Sequence, residues 1–353
     1  MTAVMKHGCL GVLIAIAGCA TDEPNLGHTE QADFIRCPKQ SCNSPELAHY
    51  GLWEQNLFGQ PDSNGIWIRS LNGVSQIIQQ GVSYNLVVKN GRISGIKSGS
   101  PTLRGDLLVG ARIELMAPEG RYFDITITRV RTSGTAFFAG EPGEIETYTM
   151  VWHEPGTSHM TGKYLCNSPL QPTEDAKTYE LLGMLPEETL VYEGDRYSIE
   201  RMTTGPTGDN AWFNFGCAGH TLAKLYLTRN TIKTQPVDDW AQRQTTLKML
   251  VGDYCGTGET FTLAGEPLLW KGGLQPSYSG TPLSIDARWT EDGATCMVEP
   301  RIKDSTNAQA QTLFPDVETQ IQTACAKVDH RIVTCDNVDI EDLDGTRVIS
   351  ANR

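Results

Sequence analysis

The sequence predicts an α+β protein braced by disulfides, with a β-rich N-terminal half built of antiparallel hairpins, followed by two or three helices and further hairpins. Short segments of alternating apolar and polar residues, separated by turns, fill the chain from about residue 65 to about residue 199. Apolar residues at helical spacing occur only after Cys217. When Cys9 and Cys19 near the N-terminus are set aside, eight cysteines remain, an even number that favours a disulfide framework.

The N-terminus has the features of an export signal. Lys6 precedes an apolar run at residues 8–17, which is much shorter than the roughly 20 residues of a membrane-spanning helix. The run leads into Ile16-Ala17-Gly18-Cys19, which resembles the box of a bacterial lipoprotein signal. The resemblance implies a lipid on Cys19 and, because Ala20 rather than aspartate follows, an outer-membrane destination. The alternative is an ordinary signal peptide cut near Ala20.

The chain has 353 residues, which is more than one hydrophobic core usually organises, so we expect two packed subdomains. Residues 1–18 are the predicted signal. Residues 19–60 are a predicted anchor and polar tether that includes a small loop between Cys37 and Cys42. A β-rich subdomain is predicted at 61–150 and an α+β subdomain at 151–353.

The cysteines predict disulfides. Of the ten, Cys9 leaves with the signal and Cys19 takes the lipid, and no remaining pair has the Cys-x-x-Cys spacing of a zinc or redox site. Several connectivities are compatible with the remaining eight cysteines, and nearest-neighbour pairing is the one we adopt as the expectation. That expectation pairs Cys37 with Cys42, Cys166 with Cys217, Cys255 with Cys296, and Cys325 with Cys335.

Strand patterns occur in sequence order along the first half. IWIRS is followed by YNLVV and RISGI, which flank Asn90-Gly91, a strong hairpin turn. ARIELMA and RYFDITITRV flank Pro118-Glu119-Gly120, and the second of these alternates apolar and polar residues as a half-buried strand does. TYTMVWH and TLVYEGDRYSI extend the β pattern, the latter with a turn at residues 193–195.

Helix patterns follow. CAGHTLAKLYLTRN has apolar residues on one helical stripe. A second helix is predicted to begin at Asp238 or Asp239 and to end at Gly256 in a left-handed cap. Two hairpins, FTLAGEPLLW and IDARWTEDGATCMV, and a helix over Val317 to Val328 complete the ordered prediction.

Several of these motifs together resemble the ADYC domain family of exported bacterial proteins. They are GDLLVGARIEL, Tyr-Leu-Cys at 164–166, CAGHTLAK, KMLVGDYCGTGETFT and ARWTEDGATC, and they span about residues 105–296. The chain departs from the family pattern at Gly252, where the name-giving alanine is expected. It departs also at Leu225 and Thr246, where relatives have cysteines on the two helices. The family has no assigned activity, so the resemblance identifies the domain but does not indicate its function.

Cys255, in VGDYCGTGETFT, has two interpretations. One is a nucleophile activated by His220. The other is a half-cystine, which we favour, because the negative end of a helix dipole disfavours a thiolate and no basic residue follows closely.

Asp253 is predicted to be a buried structural carboxylate bonded to loop amides or to Arg288. The alternative pairs it with Glu259 for glycoside hydrolysis or metal binding. His153 and His159, with Glu154 between them, flank a Pro-Gly loop rather than a helical metal motif, so we expect a solvated turn and no metal site.

The net charge of −13 disfavours nucleic acid as a partner. We expect membrane attachment through the lipid on Cys19, a surface protein or a carbohydrate as a possible ligand, and no cofactor. The expected function is a non-enzymatic binding or structural role at the outer membrane or cell surface. The alternative is a secreted hydrolase that uses acidic residues near Asp253 and Glu259.

Overall fold

A computed structural model describes residues 35–36, 52–133, 144–153, 162–166, 184–198, 200–205, 209–232, 239–263, 268–272, 285–303, 305–335 and 348–351. The strands are β1 (Ile35–Arg36), β2 (Glu54–Asn56), β3 (Trp67–Ile68), β4 (Ser70–Leu71), β5 (Val74–Gln79), β6 (Val82–Lys89), β7 (Arg92–Ile96), β8 (Arg112–Met116), β9 (Tyr122–Ser133), β10 (Ile145–His153), β11 (Lys163–Tyr164), β12 (Glu188–Gly194), β13 (Tyr197–Ser198), β14 (Thr203–Thr204), β15 (Asp209–Cys217), β16 (Leu269–Gly272), β17 (Ile285–Thr290), β18 (Gly293–Met297), β19 (Val333–Thr334) and β20 (Val348–Ala351). The helices are α1 (Thr221–Leu227), α2 (Trp240–Val251), α3 (Ala308–Leu313) and α4 (Val317–Ala326).

The larger sheet has twelve strands in the order β2-β15-β12-β10-β9-β8-β5-β6-β7, with β3, β4 and β11 attached at its sides. The predicted hairpin at Asn90-Gly91 is confirmed, since both residues have positive φ, 53° and 70°, as a tight hairpin turn requires. The turn of this hairpin also contacts β12, where the Asn90 N–H donates to the Glu193 carboxylate at 2.7 Å. The sheet is therefore curled.

Alternation along β9 explains how this sheet builds a core. Ile125 and Ile127 are fully buried, whereas Tyr122 is exposed, as the pattern predicted. Ile125 pairs with Ile113 of β8, and aliphatic residues on neighbouring strands extend the same buried face. The predicted boundary at residue 150 falls within β10, and the sheet continues through β12 and β15 beyond it.

The second sheet has six strands in the order β1-β16-β20-β17-β18-β19. The predicted hairpin across residues 285–298 is confirmed as β17 and β18. The hairpin predicted over FTLAGEPLLW is wrong. The described part of its first half contains no strand, and β16 pairs with β20 and β1, which lie far away in sequence. Helix α2 packs on this sheet and on α1, and together they enclose a second core that includes Trp270 and Trp289.

Helix α2 begins as predicted at Asp239, whose carboxylate accepts the Gln242 N–H at 3.0 Å. It ends earlier than predicted, because Gly252 and not Gly256 adopts the left-handed cap, with φ of 67°. Gly256 also has positive φ, but it lies in the loop after the helix, where the carbonyl oxygen of Asp292 leaves no room for a side chain. The predicted last helix is confirmed as α4.

Three disulfides join the described residues. Cys166 bonds Cys217 as predicted. The other two predicted pairs are wrong, since Cys255 bonds Cys325 and Cys296 bonds Cys335. Cys37 and Cys42 lie outside the described residues.

Long-range packing explains the two corrected pairings. Helix α4 lies beside the loop after α2, where the Cys255 sulfur is 3.3 Å from the Ile321 carbonyl oxygen. Strand β19 runs parallel to β18 with Cys296 opposite Val333, which brings Cys335 close to Cys296. The disulfides indicate an oxidising compartment outside the cytoplasm. No helix among the described residues has the length and hydrophobicity needed to cross a bilayer.

Candidate functional site

The loop after α2 contains three of the candidate catalytic residues from the sequence analysis, namely Asp253, Cys255 and Glu259. Asp253 is fully buried, and its carboxylate accepts the backbone N–H groups of Thr257 at 3.0 Å and Gly258 at 2.9 Å. The Lys248 ammonium, also buried, contacts the same carboxylate at 2.5 Å. The structural interpretation of Asp253 is therefore the one that the geometry supports, but its basic partner is Lys248 and not Arg288.

Tyr254 and Cys255 fix the same loop to its surroundings. The Tyr254 hydroxyl donates to the Asp286 carboxylate at 2.6 Å, and its ring packs against Trp289. Burial, reinforced by the charge of Asp286, raises the pKa of Tyr254 well above its ordinary value. Because Cys255 is disulfide-bonded to Cys325, it has no thiolate to offer as a nucleophile.

Glu259 and His220 do not join Asp253 in an open cleft. Glu259 is about half exposed, and its carboxylate is 3.8 Å from the Lys327 ammonium. His220 is fully buried at the residue before α1, with its backbone N–H bonded to the Cys217 carbonyl oxygen. The geometry thus gives no acid pair or cysteine–histidine pair at this loop.

His153 is buried at the end of β10 rather than solvated as predicted, and Glu154 and His159 lie outside the described residues. Among the described residues, no group of three or more histidine, cysteine or acidic side chains is placed to hold a metal ion.

An open cleft of about 750 Å³ lies elsewhere, between strand β2 at the end of the large sheet, the loop after it, and the β13–β14 hairpin. Its lining consists of Trp53, Glu54, Ser63, Asn64, Arg196, Tyr197, Ser198, Glu200, Thr203, Thr204 and Gly205. Hydroxyl, amide and charged side chains predominate in this set.

Arg196 is held rigidly in the cleft wall. Its Nε and Nη2 atoms donate to the Glu54 carboxylate at 3.1 and 2.7 Å, and its guanidinium lies 3.8 Å from the centre of the Trp212 ring. Glu54 is almost fully buried, whereas the Arg196 side chain is 43% exposed. The result is a preorganised guanidinium whose outer edge faces solvent.

Asp62 lies beside this pair. One of its carboxylate oxygens accepts the N–H groups of Asn64 and Ile66, both at 2.8 Å. Burial, together with the charge of Glu54, raises the pKa of Asp62 to about 6, against the opposing effect of those two amides. Asp62 therefore changes charge at about pH 6.

Helix α2 positions the hairpin side of the cleft. The Gln244 side chain accepts the Thr204 N–H at 2.7 Å and donates to the Met202 carbonyl oxygen at 3.1 Å. The Trp240 indole donates to the Thr204 carbonyl oxygen at 2.9 Å. The cleft is thus built on a helix and a sheet rather than on free loops.

Sequence reasoning missed this cleft, because its residues come from three separate segments and match no motif. The one local signal was Asp62-Ser63-Asn64-Gly65, a turn sequence whose side chains also carry polar chemistry.

A family model described as ADYC domain matches residues 105–303. No curated protein and no solved structure matches the chain significantly. The hairpin side of the cleft falls inside the matched range, while β2 and Asp62 precede it.

Proposed function

This chain belongs to the ADYC domain family, and we propose that it is an exported lipoprotein of the outer membrane or cell surface that binds a ligand without transforming it. The ligand site in this proposal is the cleft around Arg196.

The leader supports the first half of the proposal. Cys19 follows a small-residue box and an apolar run too short to span a bilayer, and acyl chains on it contribute about 0.8 kcal/mol per buried methylene. The disulfides fit export to an oxidising compartment.

The observation that carries the second half is the contrast between two sites. In the loop after α2, the carboxylate of Asp253 is bonded to Lys248 and to two amides, and Cys255 is bonded to Cys325. In the cleft, the partly exposed Arg196 and several residues that carry hydroxyl groups line an open space. A loop whose buried carboxylate and cysteine are both bonded braces a fold, whereas a preorganised open cleft binds.

The cleft is tested by a thermal-shift screen of neutral sugars, amino acids, inorganic anions and polyamines. At least one class is expected to raise the melting temperature of the parent protein and of Arg92→Ala, but not of Arg196→Ala. Arg92 is a matched control, because it is 48% exposed and also paired with one glutamate, at 3.1 Å.

Equal shifts in all three proteins, or no shift with any class, would contradict a ligand site in the cleft. The bound compound is expected to be recovered unchanged after prolonged incubation, as judged by NMR. Its conversion to a product would show an enzyme instead.

A further inference from the structure

We propose that the ligand of this cleft is a neutral, hydroxyl-rich saccharide, an inference that rests on the proposed function of the cleft as a binding site. It follows from the mixture of hydrogen-bond donors and acceptors that the cleft presents, and from the balance of its charges.

Residues that can both donate and accept form a large part of the lining. Four of the eleven lining residues, Ser63, Ser198, Thr203 and Thr204, carry hydroxyls. A hydroxyl offers one donor and two acceptor positions, so these groups suit a partner with the same dual capacity. Sugar hydroxyls have it, whereas sulfate and carboxylate only accept and an ammonium only donates.

The fixed donor of the cleft is Arg196. Its bonds to Glu54 use Nε and Nη2, and within the described part of the chain Nη1 has no bonding partner. Because stacking on Trp212 and pairing with Glu54 hold the guanidinium in place, little side-chain entropy is lost when Nη1 bonds a ligand oxygen.

The charges of the cleft disfavour an anion. Glu54 neutralises Arg196, and the remaining charged group in the described lining of the cleft is the carboxylate of Glu200. A phosphate or sulfate group would meet net negative charge, on a chain whose total charge is −13. A neutral saccharide avoids this repulsion.

Calorimetric titration of the full exported protein provides the test, with neutral oligosaccharides, inorganic sulfate and putrescine as probes at one ionic strength. We expect saccharide binding that weakens by about tenfold or more in Arg196→Lys, which loses the planar fork, and measurably in Thr203→Val, which loses one hydroxyl at constant shape. Arg92→Lys is expected to bind as the parent does.

Melting temperatures of the variants separate a lost contact from a lost fold, and Thr203→Val keeps the test valid if the Arg196 variant unfolds. Binding of sulfate or putrescine in preference to saccharide, abolished by the same substitutions, would overturn the ligand class and leave the cleft as a binding site. Saccharide binding unchanged by both cleft substitutions would overturn the site itself.

Discussion

Lys224 is a buried lysine on α1 whose ammonium nitrogen has no hydrogen-bond partner among the described residues. Burial alone lowers its pKa well below the ordinary value for lysine. The folded chain therefore holds the Lys224 proton less tightly than the unfolded chain does. Burial of this lysine accordingly opposes folding at neutral pH.

Lys224→Met is expected to stabilise the protein by about 1–3 kcal/mol at neutral pH, because a side chain of similar shape replaces an unbonded buried amine. The unfolded state of the parent binds more protons between the lowered pKa of Lys224 and the ordinary value of about 10.4, so parental stability rises with pH in that window. The variant lacks this rise. Urea unfolding from about pH 7 to about pH 9 measures both effects.

Lys303→Met is the control for charge removal, because Lys303 lies on the surface, where it pairs with Glu299 and Glu318. It is expected to change stability little at any pH. A destabilised Lys224→Met protein, with the same pH dependence as the parent, would show that Lys224 is charged and paired in the folded chain.

At the scale of elements, the loop from Gly252 to Glu259 connects α2 to the second sheet and to α4. Asp253 is bonded to Lys248 of α2 and to amides of the loop itself, while Cys255 connects the loop to α4. One carboxylate thus satisfies three donors at the end of the helix. This also explains how an aspartate is tolerated near the negative end of a helix dipole.

Asp253→Asn is expected to lower the free energy of unfolding by about 1–3 kcal/mol, because the amide keeps the shape but leaves the buried Lys248 ammonium without its counter-charge. Glu259→Gln, on the exposed side of the same loop, is the control and is expected to be nearly neutral. Chemical denaturation measures both. Equal stability of the Asn variant and the parent would refute the bracing role of Asp253.

Local signals predicted many of these elements well. The turn at Asn90-Gly91, the helix cap at Asp239 and the hairpin turn at Gly293 each depend on a few adjacent residues, so the sequence contains the necessary information. The end of α2 was misplaced because two glycines, Gly252 and Gly256, both adopt positive φ, and the sequence does not show which of them caps the helix.

At the scale of the whole molecule, the features that sequence reasoning missed depend on distant contacts. Cys255 pairs with Cys325 across 70 residues because α4 packs beside the loop. The cleft likewise unites β2 with a hairpin about 140 residues later, through the bond between Arg196 and Glu54. Periodicity and turn chemistry describe neighbours along the chain, so neither feature leaves a local pattern.

We propose that the whole molecule is a lipid-anchored, disulfide-braced protein in which the loop from Gly252 to Glu259 supports the fold and the cleft around Arg196 binds a ligand. This view requires that Cys19 carries the anchor and that Cys255 is never a free thiol in the exported protein. It also requires that the two corrected disulfides hold α4 and β19 to the rest of the second core.

Mass spectrometry of the protein purified from native membranes, digested without reductant after alkylation, tests this view most directly. We expect an N-terminal peptide that begins at Cys19 and carries acyl chains, and disulfide-linked peptides that join Cys255 to Cys325 and Cys296 to Cys335. An unmodified Cys19 in a soluble fraction, together with a Cys255 thiol that is alkylated without reduction, would contradict the lipid anchor and the structural role of the loop.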